Sequence, residues 1–92
     1  MAIKSVLIEN TESCWLCGSR QNLEAHHAIH GFGRRKVADK YGFIIPLCHR
    51  CHMNLHDTGE MDLFFKTFAQ RYYEKHIGTR EQFREDFGKS YL

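Results

Sequence analysis

Residues 14–27 read CWLCGSRQNLEAHH and residues 47–56 read LCHRCHMNLH, and these two stretches decide the fold. Each stretch holds a CxxC pair, and the four cysteines are Cys14, Cys17, Cys48 and Cys51. Two residues between thiolates let both sulfurs face one ion, and two such pairs complete the tetrahedral shell that Zn²⁺ accepts. The spacing predicts a closed, structural zinc site. The alternatives are two disulfides or four buried free thiols, and a redox-active pair is less favoured because neither CxxC opens a βαβ unit.

The composition explains why such a site is needed. A chain of 92 residues gains only about 3–5 kcal/mol from its apolar core alone, so a staple is expected, and 4 Cys and 7 His are available for it. With 42% hydrophobic residues and 1 Pro, the chain is neither disordered nor collagen-like. It has no apolar run of the roughly 18 residues that span a bilayer, and residues 1–10 do not form a secretory signal. We therefore expect a cytoplasmic, reducing location, which favours metal over disulfides.

The positive charge is concentrated in one third of the chain. The formal net charge is +2, but residues 26–56 carry five Lys and Arg against Asp39 alone, an excess of four, together with six of the seven His. Arg34, Arg35 and Lys36 are consecutive within this segment. An ordinary solvated loop is the plain interpretation, but its position among metal-type residues favours an electrostatic contact with an anionic ligand.

The sequence predicts an α+β fold in a single domain over residues 1–92, without repeats or linkers. Short strands are expected over residues 3–8, 23–29 and 43–47, and the last two form a wide hairpin that carries a basic loop. The segment from Arg50 onward favours a helix with His52 and His56 on one face. Residues 1–57 are thus a zinc knuckle with its core, and residues 58–92 a helical extension.

The helical extension is predicted to contain two helices packed on this core. Thr79 and Gln82 form a capping-box signal for the second, which Gly88 ends. The first carries an apolar stripe of helical period, which is typical of a core face, whereas a base-stacking platform is the less favoured interpretation. The stripe consists of Leu63, Phe64, Phe68, Tyr72 and His76, broadened by Phe65, Ala69 and Tyr73.

Four histidines have the spacing of a second metal site. His52 and His56 are four residues apart, so both rings can reach one cation from one helix face. His26 and His27 are adjacent on a predicted strand, where successive side chains point to opposite faces. One of the pair can therefore ligate while the other addresses a substrate. His30, His49 and His76 are expected to be surface or core residues, with His30 able to line the cleft.

The HH…LCxxCH…H pattern within the CxxC…CxxC frame resembles the HNH, or ββα-metal, endonucleases, and is similar to small phage- or prophage-encoded members over nearly the whole chain. The resemblance implies a small zinc-stabilised ββα-metal domain. It also implies that His26, His52 and His56 hold the catalytic divalent cation and that His27 is the general base. Arg34, Arg35 and Lys36 would hold flanking phosphates of DNA. The family's usual products are 5′-phosphate and 3′-hydroxyl ends.

The resemblance further implies a structural Zn²⁺, a second cation (Mg²⁺, Mn²⁺, Ni²⁺ or Zn²⁺), a bacterial host cytoplasm, and double-stranded or branched DNA as substrate, with no membrane partner. The chain would act as a monomer or homodimer. One departure is the Asn that often begins the family's second strand, because Gly42 or Phe43 occupies that position here. Two other hypotheses remain: a non-catalytic zinc-stabilised nucleic-acid-binding module, and a small protein that docks a larger phage protein.

Overall fold

The computed structural model describes residues 3–31, 33–59 and 61–92, and within them the chain forms a two-stranded sheet and four helices. The elements in chain order are β1 (Leu23–His27), α1 (Arg34–Tyr41), β2 (Ile44–Cys48), α2 (His49–Thr58), α3 (Asp62–His76) and α4 (Arg80–Phe87). This is a small α+β fold, as the sequence predicts. None of the helices in these ranges is long and apolar enough to cross a bilayer.

The predicted hairpin is present, and its register places the two metal-type stretches side by side. Strands β1 and β2 pair antiparallel, with Leu23 opposite Cys48 and His26 opposite Ile45. Helix α2 begins at the residue after β2, so its first turn starts next to the strand that carries His26. All five residues of β2 are buried, because the helices cover one face of the sheet and residues 3–8 lie beside the other.

The predicted basic loop is instead the helix α1. Gly33 and Gly42 flank this helix with φ of 77° and 76°. Gly42 N–H donates to the carbonyls of Ala38 and Asp39, which closes the last turn. A left-handed residue after the last turn is a common helix end, and Gly adopts it without steric cost. Two glycines with eight residues between them therefore bound a helix rather than break up a loop.

The predicted strand over residues 3–8 is absent. Ser5 Oγ accepts hydrogen bonds from the N–H groups of Leu7 and Ile8, at 3.0 and 3.1 Å, and donates to the Ile44 carbonyl at 2.6 Å. A serine that bonds its own neighbouring backbone offers an alternative to a ladder of strand bonds. One backbone bond, from Val6 N to Gly42 O at 2.9 Å, holds this irregular segment beside β2.

The two C-terminal helices form as predicted and complete the core. The capping box of α4 is complete: Thr79 Oγ1 accepts from Gln82 N–H, and the Gln82 side chain accepts from Thr79 N–H. Gly88 ends the helix. The buried aromatic side chains include Phe43, Phe65, Phe83 and Phe87. In α3 the buried face is one residue out of register with the expected stripe, since Phe65 is fully buried whereas Leu63 and Phe64 are 64% and 46% exposed.

Candidate functional site

The four cysteines meet at one point, as the CxxC spacing predicts. The sulfurs of Cys14, Cys17, Cys48 and Cys51 all lie within 4.8 Å of one another. The Cys17 and Cys48 sulfurs are 3.6 Å apart, too far for a disulfide and near the edge of about 3.8 Å that a Zn–S bond of about 2.3 Å gives a tetrahedron. The cluster is therefore compatible with a structural metal such as zinc, and all four thiols are free.

Backbone hydrogen bonds hold the first CxxC pair against the strand that carries the second. Trp15 N–H donates to the Pro46 carbonyl at 2.8 Å, and Gly18 N–H donates to the Cys14 carbonyl at 2.8 Å. Gly18 has φ of 81°, which the tight knuckle turn requires. Cys48 is the N-cap residue of α2 and Cys51 lies in its first turn, so the cluster fixes the start of this helix.

The surroundings of Cys14 and Cys51 shift the pKa values of these two thiols in opposite directions. Burial alone would raise the pKa of Cys14, but hydrogen bonds with the backbone of Cys48, Cys17 and Leu16 lower it to about 6. For Cys51, burial together with the neighbouring thiols raises the pKa to about 12. Cys14 therefore ionises readily, whereas Cys51 becomes a thiolate only if a cation compensates the added negative charge.

Three histidines form a second cluster, and they are the three that the sequence predicts. Ring nitrogens of His26, His52 and His56 all lie within 4.8 Å of one another. The Nε2 atoms of His52 and His56 are 3.2 Å apart. His26 is 3% exposed, and its Nε2 has no hydrogen-bond partner in the described structure. A buried ring nitrogen without a partner is costly, whereas a lone pair aimed at a shared cation would satisfy it.

A carboxylate that the sequence pattern does not single out, that of Glu24, orients one of these rings. Glu24 precedes His26 by two residues on β1, so both side chains leave the same face of the strand. Its carboxylate oxygens lie 2.7 Å from His52 Nδ1 and 2.8 Å from His49 Nδ1. Hydrogen bonds with His52 and His49 hold the pKa of Glu24 below its usual value, so it is ionised at neutral pH. With its proton on Nδ1, His52 presents the Nε2 lone pair to the cluster.

The burial of His26 makes stability depend on pH while no cation is bound at the histidine cluster. Burial, and then the charges of His52, His30 and His56, lower the pKa of His26 from 6.5 to about 4. As pH falls, the unfolded chain binds this proton first, so stability is lost between about pH 6.5 and about pH 4. The unfolding free energy should fall between about pH 7 and about pH 5. We expect this fall to be about 2 kcal/mol smaller in His26→Leu than in the parent. Urea titrations at the two pH values measure this difference.

The parent and His26→Leu both keep the cysteine cluster, where protons compete with a bound metal for the thiolates. This competition lowers the unfolding free energy of both proteins equally as pH falls, so it cancels when the two pH series are compared. An equal loss in the parent and in His26→Leu would contradict the prediction.

His27 lies beside the cluster and faces a different partner. Its Nε2 is 3.3 Å from Asp39 Oδ1 on α1, and its side chain is 13% exposed. His27 shares with the three clustered histidines a cavity of about 180 Å³, which we call the histidine cavity. Its other lining residues are Ala25, His30 and Arg35. One general-base candidate, one metal-type cluster and one guanidinium therefore face the same small space.

The side chains of the three consecutive basic residues point in two directions. Arg35 and Lys36 line, with His27 and Asp39, a second cavity of about 400 Å³, which we call the arginine cavity. Arg34 points the other way, since a Cβ at Gly88 would lie 2.9 Å from its Nη2. Its guanidinium thus sits at the C-terminus of α4, where a cation is favoured by the helix dipole. Arg35 and Lys36 are exposed beside the site, whereas Arg34 is a half-buried packing residue.

Comparison with known families gives one result. A family described as "Protein of unknown function (DUF968)" matches residues 7–82, which is most of the chain. The chain belongs to the DUF968 family. Among curated proteins and among solved structures, no match to it is found.

The DUF968 match spans both clusters and their supporting carboxylates, from Cys14 to His56. It ends before Phe83 and Phe87, the two residues that α4 adds to the core. The DUF968 segment thus contains all the chemistry described above.

The remaining histidines lie near the site or outside it. His30 lines the histidine cavity, as expected, and its Nε2 is 2.7 Å from Asp62 Oδ1. His49 is exposed and bonds Glu24. His76 is exposed at the end of α3, with its ring 4.5 Å from that of Tyr72. Of these, His30 alone belongs to the cavity wall.

Proposed function

We propose that the chain is a metal-dependent endonuclease of the HNH type that hydrolyses DNA phosphodiester bonds. The observation that carries the proposal is the arrangement in the histidine cavity. His26, His52 and His56 converge on one point, and His27 and Arg35 line the same space. A cation site, a base and a phosphate-binding cation are the groups that phosphodiester hydrolysis by this route requires.

The residues present fit a divalent cation. His26 supplies a buried Nε2 without a partner, and Glu24 fixes the proton of His52 on Nδ1. A carboxylate that holds a ligating imidazole in this way is the usual second contact of a histidine metal site. Imidazole ligands suit Zn²⁺, Ni²⁺ and Mn²⁺ better than Mg²⁺. A cation held by these rings would neutralise charge that develops on the leaving oxygen.

His27 would act as the general base, and Asp39 determines which of its nitrogens does so. If the Nε2 proton is donated to Asp39, the lone pair is on Nδ1, and Nδ1 takes a proton from the attacking water. Water then adds to phosphorus as the P–O3′ bond breaks, and the 3′ oxygen is protonated from solvent. Asp39 would thereby perform the orienting role that the family's Asn has, since neither Gly42 nor Phe43 offers a polar side chain.

Arg35 and Lys36 would hold the phosphates that flank the scissile bond. Both are exposed, and both line the arginine cavity with His27. Contacts of this kind position a nucleic acid without reading its sequence, and they weaken as salt rises. At the cysteine cluster, a structural Zn²⁺ would hold the start of α2, and hence His52, in place.

Cleavage of supercoiled plasmid tests the proposal. Purified protein with Mg²⁺, Mn²⁺ or Ni²⁺ should convert the supercoiled form to nicked circles first, because a monomer has one site. Excess chelator added with the metal should stop the reaction. If the protein binds the plasmid in a salt-dependent manner but cleaves it with none of these ions, the non-catalytic binding module is favoured instead. If it neither binds nor cleaves, both nucleic-acid functions are wrong.

Replacing Glu24 tests the second metal site. We expect Glu24→Gln to weaken binding of a divalent cation at the histidine cluster by about 10- to 100-fold, because a neutral amide lacks the negative charge that makes the Nε2 lone pair of His52 a stronger ligand. Isothermal titration with Ni²⁺ on zinc-loaded protein measures this affinity. Glu85→Gln is the matched control, since Glu85 is exposed on α4. Equal Ni²⁺ affinity in the two variants would show that Glu24 does not support the cluster.

A further inference from the structure

An open groove of about 780 Å³ lies on the face of the sheet opposite the helices that cover the core, and we call it the lysine groove. Its floor is largely apolar, and its rim carries two lysines. The residues that form it include Lys4, Val6, Leu23, Ala25, Lys40 and Ile44. The irregular segment over residues 3–8 forms one wall, and the end of α1 forms the other. The groove is therefore made by two features that the sequence alone did not predict.

The lysine groove continues from the proposed active site. Ala25 lines both the lysine groove and the histidine cavity. Asp39 lines both the lysine groove and the arginine cavity, and His27 lines both the arginine and histidine cavities. The three spaces thus adjoin one another around His27 and Asp39. A chain seated with one unit at His27 could therefore extend into the lysine groove.

The charges along this path favour an anionic occupant. Lys4, Arg35, Lys36 and Lys40 are all exposed along it. Lys36 and Lys40 are one helical turn apart, so both leave the same side of α1. The one carboxylate among the lining residues is Asp39, which His27 already contacts. Glu24 leaves the opposite face of β1 and does not line the groove.

We propose that the lysine groove binds the sugar–phosphate backbone of one DNA strand beyond the scissile phosphate. This inference rests on the proposed function. It extends the DNA-binding site, which begins at Arg35 beside His27, along the lysine groove to Lys4 and Lys40. The two ammonium groups would contact phosphates, and the apolar floor formed by Leu23 and Ala25 would pack against sugars. An acidic peptide would match the same charges, but continuity with the histidine cavity favours the polymer that would be cleaved there.

Equilibrium binding without cleavage tests the lysine groove. All proteins carry His27→Ala, the buffer contains no added divalent cation, and the probe is a short fluorescein-labelled DNA duplex followed by anisotropy. Adding Lys4→Gln and Lys40→Gln should weaken binding about tenfold and reduce the slope of log K against log[salt] by about two. The binding constant is measured at several salt concentrations between about 50 and 200 mM, a range over which the loss of phosphate contacts changes the affinity measurably.

A charge-matched control separates a local contact from a general loss of positive charge. Lys75→Gln with Lys89→Gln removes the same charge, and neither residue lines the lysine groove or the histidine cavity. Lys89 and Lys40 also make the same kind of contact, since the ammonium group of each lies 5.4 Å from the centre of a tyrosine ring. The control pair should leave the affinity within twofold and the slope unchanged. Equal effects of the two pairs, or no duplex binding at all, would overturn the proposal.

The outcome is independent of the cleavage assay. One outcome is that the parent protein cleaves no plasmid while Lys4→Gln with Lys40→Gln still lowers DNA affinity more than the control pair does. In that case the lysine-groove proposal stands and the endonuclease proposal fails. If the parent cleaves plasmid but the two pairs behave alike, the lysine groove fails and the endonuclease proposal stands. Thermal melts of both double variants should match that of the His27→Ala protein, because all four lysines lie outside the buried core.

Discussion

Cys48→Ser should leave a chain that does not reach the native fold, whereas the parent should fold with one zinc ion per molecule. Serine keeps nearly the size of cysteine but replaces the thiolate ligand, so the loss reflects the metal rather than a cavity. Structural zinc in small domains contributes about 10–16 kcal/mol of apparent binding free energy, which is comparable to the roughly 5–15 kcal/mol that holds a whole domain together. Far-UV circular dichroism, the dispersion of a proton NMR spectrum and metal analysis measure the effect.

Chelation of the parent provides the reversible counterpart of Cys48→Ser. A strong chelator should unfold the protein, and returning Zn²⁺ should restore the spectrum, because no residue has been changed. Disulfides and buried free thiols, the alternatives that the sequence left open, predict no response to chelation. If Cys48→Ser keeps both the zinc content and the melting temperature of the parent, the structural role of the cluster is wrong.

The two clusters are mechanically linked, because α2 and its N-cap residue carry two of the four cysteines and two of the three histidines. Cys48 and Cys51 hold the start of α2, and His52 and His56 follow within its next two turns. The open cluster therefore depends on the closed one for the position of two rings. His26 alone reaches it from the sheet, at ring distances of 5.1 Å from His52 and 6.2 Å from His56. Loss of zinc should thus abolish binding at the histidine cluster as well.

Local signals in the sequence were sufficient where the structure depends on neighbouring residues. The CxxC pairs place two sulfurs together within one turn, and the four-residue spacing of His52 and His56 places two rings on one helix face. The capping box of Thr79 and Gln82 is also a contact between near neighbours. In each case the determining geometry spans at most four residues, so the pattern alone predicts it.

The rest depends on contacts between distant parts of the chain. Glu24 meets His52 across 28 residues, and Asp39 meets His27 only because α1 folds over the hairpin. Arg34 resembles Arg35 in sequence, yet it packs against Gly88 at the far end of the chain. Similarly, the buried face of α3 depends on distant residues, since the buried ring of Phe65 lies 5.5 Å from that of His26 on the sheet. The helical period in the sequence cannot identify which residue of the stripe is innermost.

His27→Ala and His52→Ala should both abolish DNA cleavage, but for reasons that metal analysis separates. Removing the base should lower the cleavage rate by about 10²- to 10⁴-fold while both metals stay bound, because His27 faces Asp39 rather than the cluster. Removing His52 should lower cleavage as strongly through loss of the second cation, with the cysteine-bound zinc retained. Plasmid nicking rates and zinc and Ni²⁺ stoichiometry, measured on the same preparations, give both readouts.

The pair of variants also tests the role of Asp39. If the carboxylate orients His27, Asp39→Ala should lose much of the cleavage rate. Asp39→Asn should retain much of it, because the amide keeps an oxygen that accepts the Nε2 proton. KM should change little in either variant. A structural role would instead lower stability in both and leave the rate of the folded fraction intact. Should His27→Ala cleave as fast as the parent while His52→Ala does not, the cation site would stand and the base would have to be another group. His30 is the one other ring that faces the cavity outside the cluster, so His30→Ala would be the next variant to measure.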